Sequence, residues 1–462
     1  CSFPALATRQ RSTAATAMAI FGGVMESFVC GDFSSSFGAR QAFENRPFPG
    51  ESATPLGAPA SGYNSAPPSR PRRIVSASRS LFSLPAAPKP GARIDLPLLA
   101  GSADALALAE LSRLNKGRLL AVVTANAADA QRLLDEIPWF APGLKVRLLP
   151  DWETLPYDHF SPHQDLISER LATLWAALQG EPDILLVPAS TAVYRLAPPE
   201  FMAAYTFAFK KGERIDAERF RSQVTLAGYA HVTQVVSPGE YSIRGGLIDL
   251  FPMGSPMPYR LDLFDDEIES IKTFDVDSQR TIYPVPEIRL LPAREFPMDD
   301  QGRTHFRQAF RERFEGDPAK SGIYKDVSTG IASAGIEYYL PLFFDAMASL
   351  FDYLPADALF VTHGDAPAAI AAFWADTRSR YTLLQGDKAR PLLAPDELFL
   401  SDEAFFATAK RYGRLAISAK NGEAAGKLPS VAVDRRSDDP LGALKNHLAA
   451  FPGRILLVAE TA

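Results

Sequence analysis

The chain has 462 residues, of which 47% are hydrophobic and 22% are charged, a composition typical of a soluble globular protein with roughly two to four domains. Its net charge of −6 argues against a chain that binds polyanions over its whole surface, although a local basic patch is compatible with it. The two cysteines, Cys1 and Cys30, exclude a disulfide framework and a thiolate metal site. No apolar run is long enough for a membrane-spanning helix.

The N-terminal stretch up to residue 92 is rich in Ser, Ala, Pro and Gly, and it includes the basic run PPSRPRR at Pro67–Arg73. A basic, Ser-rich leader with few acidic residues resembles an organelle transit peptide. The chain begins at Cys1 rather than Met, however, which favours a fragment or a misplaced start site. We therefore expect residues 1–92 to be a disordered or non-native extension rather than a targeting signal.

Helical and strand patterns alternate between Ile94 and Tyr205. A continuous apolar run such as Arg118–Thr124 (RLLAVVT) suits a strand that is buried on both faces of a parallel sheet. The alternation predicts a doubly wound α/β sheet. The predicted helices are Ser102–Asn115, Ala127–Ile137 and Asp165–Leu178, and the other predicted strands are Lys145–Leu149 and Asp183–Val187.

Residues 206–286 follow a different pattern, which predicts a small α+β domain. Its helix is Asp216–Ala227. Its three candidate strands, which turn signals separate, are Ser242–Phe251, Pro258–Phe264 and Glu267–Phe274.

In the middle strand, successive side chains point to opposite faces of the sheet. The apolar set, which we take as the inner face, is Tyr259, Leu261 and Leu263. The other set is Arg260, Asp262 and Phe264. An aromatic ring and an arginine on a polar face are typical of a protein-binding patch. The alternative is a sheet face that another domain covers, with Arg260 and Asp262 pairing with each other.

The α/β pattern returns between residues 287 and 413, with a strand at Ala358–Thr362 and a helix from about Ala366 to Tyr381. The stretch Asn421–Lys427 (NGEAAGK) is typical of a linker. Beyond the linker we expect about half of another small α/β domain, truncated by the end of the chain. Its predicted elements are a strand at Ser430–Val433, a helix at Leu441–Phe451 and a strand at Arg454–Ala459.

Two stretches carry a family resemblance: GEYSIRGGLIDLFPMGS…PYRLDLFDDEIESIKTFDVDSQRT within Gly239–Thr281, and LPDWETLPYDHFSPHQD at Leu149–Asp165. Both resemble the UvrB-homology module of transcription-repair coupling factors (Mfd) and, more distantly, UvrB, from about Arg93 to Ala462. The resemblance implies a split, degenerate P-loop-motor-like parallel-sheet domain with an inserted small α+β domain that docks UvrA. The implied ranges are 93–205 and 287–413 for the split domain, 206–286 for the docking domain, and 414–462 for a linker and an incomplete α/β domain.

The resemblance also implies a partner, the excision-repair protein UvrA. The UvrA-contacting positions of the family correspond here to Arg244, Arg260 and Phe264. The implied function is recruitment of UvrA to stalled RNA polymerase in the bacterial cytoplasm. In full-length members, later domains bind RNA polymerase and double-stranded DNA and act as an ATP-dependent translocase that displaces the polymerase.

A working ATPase of this fold needs the string G-x-x-x-x-G-K-[ST] and an acidic pair at the end of a later strand. The loop that matches the string, Leu98–Ala105, contains Gly101 and Ser102 but no lysine, and Thr362 and His363 stand where the acidic pair would be. We therefore expect no catalytic residue, cofactor or metal in this segment, whereas ATP and magnesium belong to the motor domains of full-length members. The rival hypotheses are a UvrB-like ATPase that loads on damaged DNA, and a structural remnant that packs on the motor domains.

The signals for other ligands are weaker. The hairpin with which UvrB clamps DNA would lie between Tyr157 and Asp165, an interval that is too short here and supplies one aromatic residue and no Lys or Arg. His159 and His163 span a proline, so they are not a helical metal-binding pair. The acidic run Asp262–Glu269 lies at a tight turn and lacks the spacing of a calcium loop.

Overall fold

The structure is a computed structural model that describes residues 84–99, 101–423 and 431–452. Of the described residues, 84–99 and 101–423 belong to one compact unit and 431–452 belong to another. Leu84 and Ala87 pack against a core of the first unit, although the N-terminal extension was expected to reach residue 92. The expectation for residues 1–83 lies outside the described residues.

In chain order, the strands are β1 (Arg93–Leu98), β2 (Leu120–Thr124), β3 (Val146–Leu148), β4 (Ile184–Pro188), β5 (Phe207–Lys210), β6 (Ala230–His231), β7 (Glu240–Arg244), β8 (Leu247–Phe251), β9 (Tyr259–Phe264), β10 (Glu267–Phe274), β11 (Thr281–Val285), β12 (Glu287–Leu290), β13 (Leu359–His363) and β14 (Gly413–Glu423).

The α-helices are α1 (Ala103–Leu114), α2 (Ala127–Phe140), α3 (Gln164–Leu178), α4 (Ala189–Ala192), α5 (Pro199–Ala204), α6 (Ala217–Leu226), α7 (Asp300–Arg313), α8 (Gly322–Ser328), α9 (Ala366–Leu384), α10 (Pro395–Leu398), α11 (Asp402–Ala409) and α12 (Gly442–Ala450). Short 3-10 helices lie at Pro318–Lys320, Ile336–Phe343 and Leu350–Tyr353.

A parallel sheet has the strand order β1-β14-β13-β2-β4-β3. Its central strands β2 and β4 are buried along their whole length, as their apolar sequences predict. Alternate residues of β2 belong to two cores, because side chains of a strand alternate between faces: Leu120 and Val122 pack with α1 and α2, and Ala121 and Val123 share a core with α3. The prediction of an α/β fold built on a parallel sheet is confirmed.

A separate sheet has the order β11-β10-β9-β8-β7-β6 and is antiparallel except for the short pair of β6 and β7. Phe220 and Val224 of α6 share a core with Tyr241 and Leu261 on its inner face. Strands β5 and β12 pair with each other, so the segments that lead into and out of this sheet lie side by side. The chain therefore builds the second sheet between β4 and β13 of the first.

One predicted strand is wrong. The segment Ser242–Phe251 is not continuous, because β7 and β8 form a hairpin around Gly245 and Gly246. Gly245 has a φ of +60°, a left-handed conformation that glycine adopts without the steric cost of a Cβ atom. A Gly-Gly pair between two apolar runs is a hairpin signal, which the predicted single strand overlooked.

The C-terminal predictions also need correction. The predicted linker Asn421–Lys427 starts too early, because β14 continues to Glu423 by pairing with β1. Residues 431–433 form no strand, whereas the predicted helix at Leu441–Phe451 is confirmed as α12. The predicted strand Arg454–Ala459 lies outside the described residues. Within the described part of the chain, no helix is long and apolar enough to cross a membrane.

Candidate functional site

The outer face of the second sheet brings the three predicted partner-binding residues together. Arg244 of β7 lies opposite Leu247 of β8, and Leu247 lies opposite Asp262 of β9, two residues before Phe264. Asp249 of β8 lies opposite Arg260 of β9, which in turn lies opposite Lys272 of β10. The outer face is the surface formed by Arg244, Leu247, Asp249, Arg260, Asp262, Phe264 and Lys272.

Asp249 is the shared partner of the two arginines. Its carboxylate is 1% exposed and accepts two hydrogen bonds from Arg260, with Nε 2.6 Å from Oδ1 and Nη2 2.9 Å from Oδ2. Arg244 donates from Nη2 to the same Oδ2. A buried carboxylate requires such partners, because an unpaired charge in the interior is strongly destabilising. Asp249 was not among the predicted site residues, although a lone acidic residue inside the apolar run LIDLF is a signal for it.

The two arginines differ in how much of each side chain remains accessible. Arg260 is 16% exposed, since its guanidinium lies 5.0 Å from the centre of the Phe274 ring and also donates to the carbonyl oxygen of Gln279 at 3.2 Å. Hydrogen bonding to Asp249 raises the pKa of Arg260. Arg244 is 49% exposed. Arg244 is therefore the more accessible cation.

Phe264 ends β9 and is 76% exposed. The backbone on both sides of it is held in place: the Leu263 amide donates to the Gly246 carbonyl oxygen at 2.7 Å, and Asp265 turns the chain with a φ of +59°. The prediction that Phe264 lies on the outer face is confirmed, as is the burial of Leu261 on the opposite face. An exposed ring on a fixed backbone, on the same sheet face as an accessible arginine, has the composition of a binding hot spot.

Asp262 does not pair with Arg260, so that part of the alternative interpretation is wrong. Its carboxylate lies 2.8 Å from Lys272 Nζ and also accepts a hydrogen bond from Ser270 Oγ. Burial acts against ionisation, but the bonds from Lys272 and Ser270 outweigh it and lower the pKa of Asp262. Asp262 is therefore held by residues of β10 and not by Arg260.

The second region singled out by sequence joins the start of α1 to the end of β13. Gly101 has a φ of +57°, and Ser102 is the N-cap residue of α1 without a side-chain capping bond. The buried Asp104 carboxylate lies 2.6 Å from Arg132 Nη2 and 2.7 Å from His363 Nε2. Burial opposes ionisation of Asp104, but these two partners lower its pKa overall. The fold therefore ties the Gly101 loop to the strand end that carries His363.

The connector Leu149–Asp165 is anchored to distant parts of the chain. Trp152 Nε1 donates to Glu295 Oε2 at 2.9 Å, and the same carboxylate pairs with the buried Arg170 at 2.8 Å. Arg390 reaches the connector from 231 positions away and contacts His159 Nδ1 at 2.7 Å. A basic residue is therefore present at this loop, although the local sequence supplies none.

The histidines of the connector have structural contacts. His163 is the N-cap residue of α3, and its Nδ1 accepts a hydrogen bond from the Asp165 amide at 3.3 Å. Across the described ranges, no group of three or more His, Cys, Asp or Glu side chains is arranged to hold a metal ion.

Comparison with known proteins gives a domain match and a set of relatives. Residues 207–296 match a family model described as the UvrB interaction domain. The transcription-repair-coupling factor of Haemophilus influenzae is 42% identical over 372 residues, which is 78% of this chain and 32% of that protein. The factor of Escherichia coli K12 is 42% identical over 389 residues, 82% of this chain and 34% of that protein. The factor of Myxococcus xanthus is 33% identical over 277 residues, 57% of this chain and 23% of that protein.

The chain thus spans about a third of the length of the first two relatives. The domain match covers the whole outer face, and the similarity to the two longer-matching relatives extends over most of the chain. The chain therefore belongs to the family of transcription-repair coupling factors.

Proposed function

We propose that this segment recruits UvrA through its outer face, so that the excision-repair machinery reaches a stalled RNA polymerase. The observation that carries the proposal is that Phe264 and the half-exposed Arg244 are both accessible on one face of the sheet, within the residues that match the UvrB interaction domain. RNA polymerase and double-stranded DNA would be further partners of the longer family members, whose translocation would use ATP bound elsewhere.

The chemistry of the outer face suits a partner with an apolar pocket next to acidic groups. The Phe264 ring would fill the pocket, and Arg244 would pair with a carboxylate on UvrA. Removal of an aromatic anchor of this kind typically costs about 2 kcal/mol of binding free energy, whereas residues at the rim contribute little. The structural-remnant hypothesis predicts that Arg260 and Phe264 are both buried within this chain. Arg260 is largely covered, at 16% exposed, but Phe264 is 76% exposed, which argues against that hypothesis.

Titration calorimetry of the full chain against purified UvrA tests the proposal. We expect Phe264→Ala to weaken binding about thirtyfold, the factor that corresponds to about 2 kcal/mol. Leu383→Ala is the matched control, because Leu383 is 81% exposed and lies on α9, outside the matching domain. The control should bind like the wild type. Failure of the wild type to bind, or equal losses in the two variants, would overturn the proposal.

We also propose that the parallel-sheet part is a degenerate motor-like domain that neither binds a nucleotide cofactor nor hydrolyses ATP. The Gly101 loop has no lysine to contact phosphate groups, and no acidic pair follows β13. The pairing of Asp104 with His363 supports this, because it joins two regions that in a working ATPase would face the nucleotide.

A further inference from the structure

We infer that Asp249 is a positioning residue for UvrA docking, which holds Arg244 toward the partner while Arg260 supports the arrangement from within the sheet. This inference rests on the proposed docking function and divides its roles among three side chains. The juxtaposition that carries it is one buried carboxylate shared by a covered arginine and a half-exposed arginine.

Arg260 has little left to offer a partner. A guanidinium has five N–H donors on three nitrogens. In Arg260, Nε and Nη2 bind the two oxygens of Asp249, and Nη1 binds the Gln279 carbonyl oxygen. One face of the guanidinium lies over the Phe274 ring, which itself is buried. Three of the five N–H donors of Arg260 are therefore used within the chain, and only 16% of its side chain is exposed.

Arg244 has the opposite character. Within the described residues, the Arg244 side chain donates a hydrogen bond to Asp249 through Nη2, and half of the side chain faces solvent. Its other donors are available for the two parallel N–H···O bonds with which a guanidinium recognises a carboxylate. The partner that fits this geometry is a surface carboxylate of UvrA next to the pocket for Phe264.

Asp249 contributes by restricting Arg244 before binding. A free arginine loses much rotamer freedom when it forms a fixed contact, and that loss weakens binding. The bond to a carboxylate that is itself held by Arg260 removes part of this freedom in advance. Asp249 thereby acts through Arg244, without touching the partner.

A charge-neutralising substitution separates positioning from simple electrostatics. Asp249→Asn removes a negative charge from a face that would meet acidic groups, so electrostatics alone predicts tighter binding to UvrA. Loss of positioning predicts weaker binding. Asp262→Asn is the matched control, because it removes the same charge from the same face but from a side chain that pairs with Lys272 instead of Arg244.

Binding of the full chain to UvrA would be measured by calorimetry for both variants, with and without Arg244→Ala. We expect Asp249→Asn to weaken binding to UvrA about fivefold in the wild-type background. In the Arg244→Ala background, the same substitution should weaken binding by less than about twofold. Asp262→Asn should not weaken binding. The stoichiometry of each titration reports the folded fraction. The positioning role is wrong if the Asp249→Asn variant binds UvrA as tightly as the Asp262→Asn variant. It is also wrong if Asp249→Asn lowers the affinity by the same factor in the wild-type and the Arg244→Ala backgrounds.

A second double-mutant cycle leaves Asp249 unchanged, so that it can be measured even if replacement of Asp249 prevents folding. Arg260→Gln is combined with Arg244→Ala, and the loss from Arg260→Gln should again shrink to less than about twofold when Arg244 is absent. An equal loss in both backgrounds would make Arg260 a direct contact and overturn the inference. Absence of wild-type binding would instead overturn the docking function, so the two failures are distinguishable.

Discussion

Glu337 shows how a single buried residue can make the stability of this protein depend on pH. It lies in the 3-10 helix Ile336–Phe343 and accepts a hydrogen bond from Ser161 Oγ at 2.8 Å. Burial raises the pKa of the Glu337 carboxyl from 4.5 to about 7. The folded state therefore binds the proton more tightly than the unfolded state, so stability falls as pH rises through this interval. Above about pH 7 the protein has lost about 3 kcal/mol of its free energy of unfolding through the ionisation of Glu337.

We predict that Glu337→Gln removes this dependence, because an amide keeps the acceptor oxygen but does not ionise. Urea unfolding between pH 4.5 and 8 should show little difference from wild type at the acidic end and a variant more stable by up to about 3 kcal/mol at the basic end. Glu312→Gln, at an exposed position of α7, is the control and should follow wild type throughout. A constant difference between Glu337→Gln and wild type across this range would contradict the prediction.

The residues of the outer face differ in how far sequence could place them. Strand alternation placed Arg260 and Phe264 on one surface, because the two faces of β9 follow from local geometry alone. The hydrogen-bond partner of Arg260 was not predictable in that way. Asp249 lies on the adjacent strand, and only strand register brings the two residues opposite each other.

At the scale of elements, the Gly245-Gly246 turn sets the composition of the outer face. Arg244 and Asp249 are five positions apart, and in a continuous strand an odd separation puts side chains on opposite faces. The hairpin instead places Asp249 opposite Ser242, which shares a face with Arg244. Reading Ser242–Phe251 as one strand therefore concealed the residue that joins the two arginines.

This turn gives a prediction about backbone strain. Gly245→Val should lower the free energy of unfolding by about 1–2 kcal/mol, because a β-branched residue is strained at a φ of +60°. Gly245→Asn should cost clearly less, since Asn tolerates the left-handed region. No heavy atom lies within 4 Å of a Cβ placed at Gly245 or at Gly143, so Gly143→Val, at an ordinary φ, controls for added bulk. Urea unfolding measures all three, and equal losses for Val and Asn at position 245 would rule out the strain.

At the scale of the whole molecule, the parallel sheet brings the Gly101 loop close to the end of β13. The two halves of a working nucleotide site would be brought together in the same way. Asp104 and His363 meet there at 2.7 Å. We predict that the full chain releases no phosphate from ATP above background, because neither a phosphate-binding lysine nor an acidic pair for magnesium is present in the sequence. A phosphate-release assay with magnesium tests this. Hydrolysis that a chelator stops and His363→Ala abolishes would contradict it.

Sequence alone determined the type of many elements, since apolar periodicity and turn residues act over a few positions. It did not reveal the hairpin within Ser242–Phe251 or the strand β14. It also determined which side chains of β9 share a face, and the family of the chain. Tertiary structure alone decided that Arg260 is covered while Arg244 and Phe264 remain accessible, and that Asp249 connects the two arginines. The physical reason is that burial and charge pairing depend on residues distant in sequence, which register and turn geometry bring together.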